Sequence, residues 1–146
     1  FQPRLSPHPL NDEAKRGREL FFSKAVGCAE CHTGPYYTDS SLQKPFKLHD
    51  VGTGLDDPLE KMGPSYDTPT LLGVYRCAPY LHHGKAETLM DVLTKFNPKD
   101  QHGKTSHLSV KEKEELVAFL RALPYEKPPE ETPNSVPHRL IEKKKE

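Results

Sequence analysis

Tryptophan is absent from the 146 residues, methionine occurs twice and cysteine three times. Three cysteines cannot all pair, which excludes the disulfide framework that holds many small secreted domains. A four-thiolate zinc site is excluded as well, because beyond one C-x-x-C pair only Cys77 remains. No apolar run approaches the roughly 20 residues of a membrane-spanning helix. The 21 basic residues balance the 21 acidic ones, so the cationic footprint of a nucleic-acid binder is missing. Only 34% of the residues are apolar, while prolines number 15. A single domain of this size needs more core than that, unless something other than side chains fills its centre.

The chain does contain the pentapeptide Cys28-Ala29-Glu30-Cys31-His32. Two thiols three positions apart on one turn can each add across a vinyl group of haem, and the adjacent imidazole then sits under the iron as axial ligand. A thioredoxin-like dithiol would call for alternating strands and helices around it, and none are legible. The motif therefore predicts one covalent haem c, with Cys28 and Cys31 as thioether anchors and His32 as proximal ligand. The porphyrin also supplies the apolar bulk that the composition lacks. Haem c is attached outside the bacterial cytoplasm, so a periplasmic or otherwise extracytoplasmic location is expected. The chain opens at Phe1 without a basic, apolar leader and reads as a processed chain or excised domain.

Three segments are expected: an extended, proline-containing arm over residues 1–10, a haem domain over 11–124, and a Pro-rich charged tail over 125–146. Asn11 is a good N-cap, and Asp12 and Glu13 suit the positive end of a helix dipole. The helix should run to about Phe22, with Ala14, Gly17, Leu20 and Phe21 on one face. Gly17 inside a helix costs roughly 1 kcal/mol relative to alanine and implies a packing reason. Residues 33–70, rich in Gly, Pro, Asp and Ser, read as a long loop with short helical turns at most. A short helix is expected over 71–74. A second helix is expected over 86–96, where Leu89, Val92, Leu93 and Phe96 follow the helical period. Ser109-Val110-Lys111-Glu112 is a capping box opening the last helix, whose face is Leu116, Val117, Phe119, Leu120 and Leu123. The fold class is thus all-α.

Lys15-Arg16-Gly17-Arg18-Glu19-Leu20-Phe21 before the pentapeptide, and Leu116-Val117-Ala118-Phe119-Leu120 near the end, resemble the first and last helices of the cytochrome c fold. In that fold the two helices cross closely around one haem, which a glycine at position 17 would permit. The middle narrows the resemblance. Tyr66-Asp67-Thr68-Pro69-Thr70-Leu71, Ala78-Pro79-Tyr80-Leu81-His82-His83-Gly84 and Thr88-Leu89 are similar to the C-terminal haem domain of the bacterial di-haem cytochrome c peroxidases. So are the stretches 31–39 and 49–53. The resemblance spans most of residues 12–123 and implies that Tyr80 and His82 lie near the haem edge. It also implies a redox partner protein or a second haem subunit.

The departures bear on function. Peroxidases of that family carry two haems with a tryptophan between them; here one C-x-x-C-H stands alone and tryptophan is absent. Their distal ligand lies fourteen residues beyond the P-Y-x-H histidine, a count that reaches Phe96, which cannot bind iron. The sixth ligand is therefore open between His102, His107, Met62, Met90 and none, with His102 at the place where small cytochromes c supply theirs. A closed site implies single-electron transfer; an open one implies peroxidase-like or small-ligand chemistry with another redox subunit. A module whose Pro-rich ends dock a partner, with haem as filler, is a third option. Cys77 is expected to be a buried inert thiol. His8, His49 and His138 have no ligand-like context, and Asp56-Asp57 and Glu130-Glu131 read as solvated pairs.

Overall fold

The computed structural model describes residues 5–41, 44–54, 59, 61 and 63–125. Helix α1 (Asp12–Phe22) begins where Asn11 caps it, its side chain accepting the Ala14 amide at 2.9 Å, and buries Ala14, Gly17 and Phe21. Helix α3 (Val110–Ala122) opens on the Ser109–Glu112 capping box and buries Leu116, Phe119 and Leu120. These two helices form the frame. A Cβ on Gly17 would collide with the Glu115 carbonyl and lie 2.9 Å from the Leu116 nitrogen, so only glycine allows the helices this close. Beside that contact Phe21 and Phe119 meet edge to face at 5.2 Å. Arg16 reaches the buried Glu115 carboxylate at 2.6 Å across the same junction.

Between the frame helices the chain is mostly irregular. The 33–70 segment contains a feature that the all-α expectation lacked, a two-stranded antiparallel sheet. Strand β1 (Leu48–Asp50) pairs with β2 (Ser65–Asp67) in the register His49 opposite Tyr66. Three-residue strands are too short to show an alternating pattern, and the pairing answers the need of a long segment to satisfy its backbone. Helix α2 (Leu89–Leu93) is shorter than the 86–96 period predicts. Its start is fixed by a Thr88–Asp91 capping box, and beyond Leu93 the Thr94 and Phe96 amides both turn back to the Asp91 carbonyl. Ala86 instead pairs with Tyr80 in an isolated bridge. The expected short helix over 71–74 becomes a 3-10 turn at Val74–Arg76.

The arm is anchored where it is described. The Ser6 amide donates to the Pro124 carbonyl at 3.1 Å, and the His8 ring lies edge-on to Tyr75 at 5.7 Å. Among the described residues no helix is long and apolar enough to cross a membrane. Met62, Asp56-Asp57, Glu130-Glu131, His138 and the tail beyond Tyr125 lie outside the described residues.

Candidate haem site

Cys28 and Cys31 are brought together by a 3-10 turn, Cys28–Glu30, that follows α1 after a short loop. The His32 amide donates to the Cys28 carbonyl at 3.0 Å, closing the turn. His32 is buried, and its Nδ1–H donates to the Tyr37 carbonyl at 3.1 Å. That bond fixes the tautomer and leaves Nε2 as the nitrogen available to a metal. Burial lowers the pKa of His32, so the ring is neutral and able to ligate. Burial also pushes the Cys28 thiol up to about 12 and raises that of Cys31, whose acidic neighbours Asp39 and Glu30 add to the effect. Neither sulfur is in a disulfide.

His102 stands opposite His32. Its ring centre lies 6.2 Å away, with the two planes tilted by 31°. That separation would leave room for one metal atom between the two imidazoles, each bonding it at about 2 Å. His102 Nδ1 is buried with no hydrogen-bond partner among the described residues. Burial, and next the proximity of His32, push its pKa down to about 4. Among the described residues no cluster of three or more His, Cys, Asp or Glu could hold a bare ion. Two neighbouring imidazoles suit a porphyrin, which would bring four nitrogens of its own. The residues present therefore fit haem.

The other candidates are placed elsewhere. Met90 lines a cleft of about 360 Å³ with His8, Glu114, Val117 and Arg121, a set that includes neither His32 nor His102. His107 is exposed. The Tyr80 hydroxyl donates to the Val74 carbonyl at 3.1 Å, while His82 is exposed and stacks on Tyr66 at 4.1 Å. Cys77 is exposed rather than buried, with its thiol directed at the Gly73 carbonyl, because the turn that carries it lies at the surface.

His49 has a context that its sequence neighbours did not reveal. Its Nε2–H donates to Asp39 Oδ2 at 2.9 Å, and its Nδ1 lies 3.6 Å from the Cys31 sulfur. Burial would raise the pKa of Asp39, but hydrogen bonds from Thr68 and His49 outweigh it and hold the carboxyl below its ordinary value. Nothing local joins positions 31, 39 and 49; the folding of the 33–70 segment does.

Fold and site together define a c-type cytochrome domain. No family model matches the chain. It is 35% identical over 147 aligned positions to hydrazine synthase subunit gamma of Kuenenia stuttgartiensis, covering 78% of this chain and 42% of that protein. It is 30% identical over 129 positions to the cytochrome c551 peroxidase of Nitrosomonas europaea, covering 82% of this chain and 36% of that one. The solved Kuenenia stuttgartiensis hydrazine synthase, pressurised with 20 bar xenon, superposes with a TM-score of 0.69 at 32% identity, over 83% of this chain and 51% of that chain. The chain spans about two fifths of the length of these curated relatives. It is a c-type cytochrome resembling the haem domain of the di-haem cytochrome c peroxidase family.

Proposed function

We propose that this chain is a single-electron carrier whose one covalent haem is held between His32 and His102. The observation that carries the reading is the approach of two neutral imidazoles, buried His32 and half-buried His102, to 6.2 Å between ring centres, with the His102 Nδ1 buried and unpartnered among the described residues. Haem supplies a one-electron ferric–ferrous couple when bound. Cys28 and Cys31 anchor it as thioethers, and the Tyr37 carbonyl keeps the His32 ring oriented. Burial of His32 and of the His102 Nδ1 edge limits access of water, which limits reorganisation as charge changes. A second histidine in place of methionine sets a low potential. Tyr80 and His82 border the haem edge in this reading, and the haem unit occupies residues 11–124 with flanking segments 1–10 and 125–146.

Similarity to a protein named as a subunit and to another named as a peroxidase supports a partner that is a redox protein or second haem subunit. It also supports a periplasmic or other extracytoplasmic setting. The peroxidase similarity favours a second reading, in which the distal side is open and the haem meets a small ligand beside another redox subunit.

Carbon monoxide separates the two. The ferrous holoprotein is expected to bind it slowly or not at all, with a low-spin ferric spectrum lacking a far-red sulfur-to-iron band. His102→Ala should open the site. Rapid binding by the unmodified holoprotein would overturn the electron-carrier reading and support the open one.

A further inference from the structure

The loop between α2 and α3 does more than connect them. Asn97 is 4% exposed, and its side chain binds the backbone of His102 on both sides. Asn97 Oδ1 accepts the His102 amide at 2.8 Å, and Nδ2–H donates to the His102 carbonyl at 3.2 Å and to the Gly103 carbonyl at 2.8 Å. The same amide group donates to the Thr105 hydroxyl at 3.0 Å, and that hydroxyl donates to the Leu93 carbonyl at 2.7 Å, at the end of α2. One side chain thus uses its donors and its acceptor to hold the four-residue arc from His102 to Thr105.

The arc is also fastened to the haem motif. The Lys104 amide donates to the Val26 carbonyl at 2.8 Å, two residues before Cys28. Gly103, at φ +76°, lies so close that a Cβ there would be 3.3 Å from that carbonyl and 3.5 Å from the Cys28 sulfur. His102 therefore sits on a backbone that is braced from α2 and from the turn bearing the thioether anchors.

We infer that Asn97 is a positioning residue for the distal ligand: its clamp on the His102 backbone holds the imidazole over the iron and keeps small ligands out. The inference rests on the electron-carrier reading, in which His102 ligates. A ligand that must leave before another can bind lowers the apparent association rate by the fraction of time it is away. Removing the clamp takes hydrogen bonds from both sides of His102 and leaves its amide and carbonyl unsatisfied. The dissociated fraction should rise by at least about tenfold in Asn97→Ala.

The test is the carbon monoxide association rate of the ferrous holoprotein, read with the ferric spin state. Asn97→Ala should bind at least about tenfold faster than the unmodified protein, and added imidazole should restore a low-spin spectrum. Asn97→Asp keeps the acceptor for the His102 amide but loses the donors, so its rate should fall between. It decides the matter if the alanine variant does not fold. Ser109→Ala, which weakens α3 at its cap, should lower thermal stability without changing the rate. If His102→Ala opens the site but the Asn97 variants keep the unmodified rate, or if Ser109→Ala raises it equally, the positioning role is overturned while the ligand assignment stands. If the unmodified protein binds as fast as His102→Ala, the ligand assignment itself falls, and with it this inference.

Discussion

Gly17→Ala sets local helix physics against tertiary packing. In an isolated helix the change should stabilise by roughly 1 kcal/mol, because alanine has less backbone freedom to lose. In this fold the new methyl would meet the Glu115 carbonyl and lie 2.9 Å from the Leu116 nitrogen, both rigid backbone of α3. The helices must then part by about 1 Å, and a gap of that size forfeits a quarter to a half of the contact energy across it. Phe21, Leu116 and Phe119 meet there, each 1% exposed or less. With roughly 2–3 kcal/mol for burying each, the loss comes to about 2–4 kcal/mol. Less the helix gain, the net cost is about 2 kcal/mol, or roughly 5–10 °C in Tm for a domain of this size. Guanidinium and thermal unfolding of the holoprotein, followed by haem absorbance, would measure it. An unchanged or higher Tm would show that α1 and α3 do not meet through this glycine.

Glu112 lies in the capping box of α3, where hydrogen bonds from the Ser109 hydroxyl and then the Ser109 amide hold its pKa below the ordinary 4.5. A folded-state pKa below the unfolded one means stability that is present above the unfolded value and lost as pH falls through the folded one. Glu112→Ala should therefore lower Tm near neutral pH, and the gap from the unmodified protein should close well below pH 4.5; a gap independent of pH would refute the charge assignment. Cys77 is exposed and its thiol donates to the Gly73 carbonyl. Cys77→Ser should leave the haem spectrum unchanged and Tm within about 0.5 kcal/mol of the unmodified protein, and a changed spectrum would place this thiol nearer the haem than its exposure implies.

What could be read from the chain alone was governed by short-range chemistry. Thioether attachment demands two sulfurs on one turn with an imidazole beside them, so Cys28, Cys31 and His32 are legible as a pentapeptide. Capping is equally local: Asn11 and the Ser109–Glu112 pair announce their helices because each satisfies amides within three residues. Glycine at 17 pointed to a close approach, since its helical cost needs a reason.

Tertiary structure decided the rest. In the proposed reading His102 is favoured by its placement near His32, which spacing could not show because His32 lies seventy positions earlier. Only the closure of α1 on α3, with the braced 97–105 loop against Val26 and Cys28, brings the two ring centres to 6.2 Å. The β1–β2 pairing and the Asp39–His49–Cys31 contact arise in the same way, from a segment with no period of its own whose polar groups find distant partners. A covalent motif is written in adjacent residues; the far side of an iron is a place in space, and it exists only after the chain has folded around it.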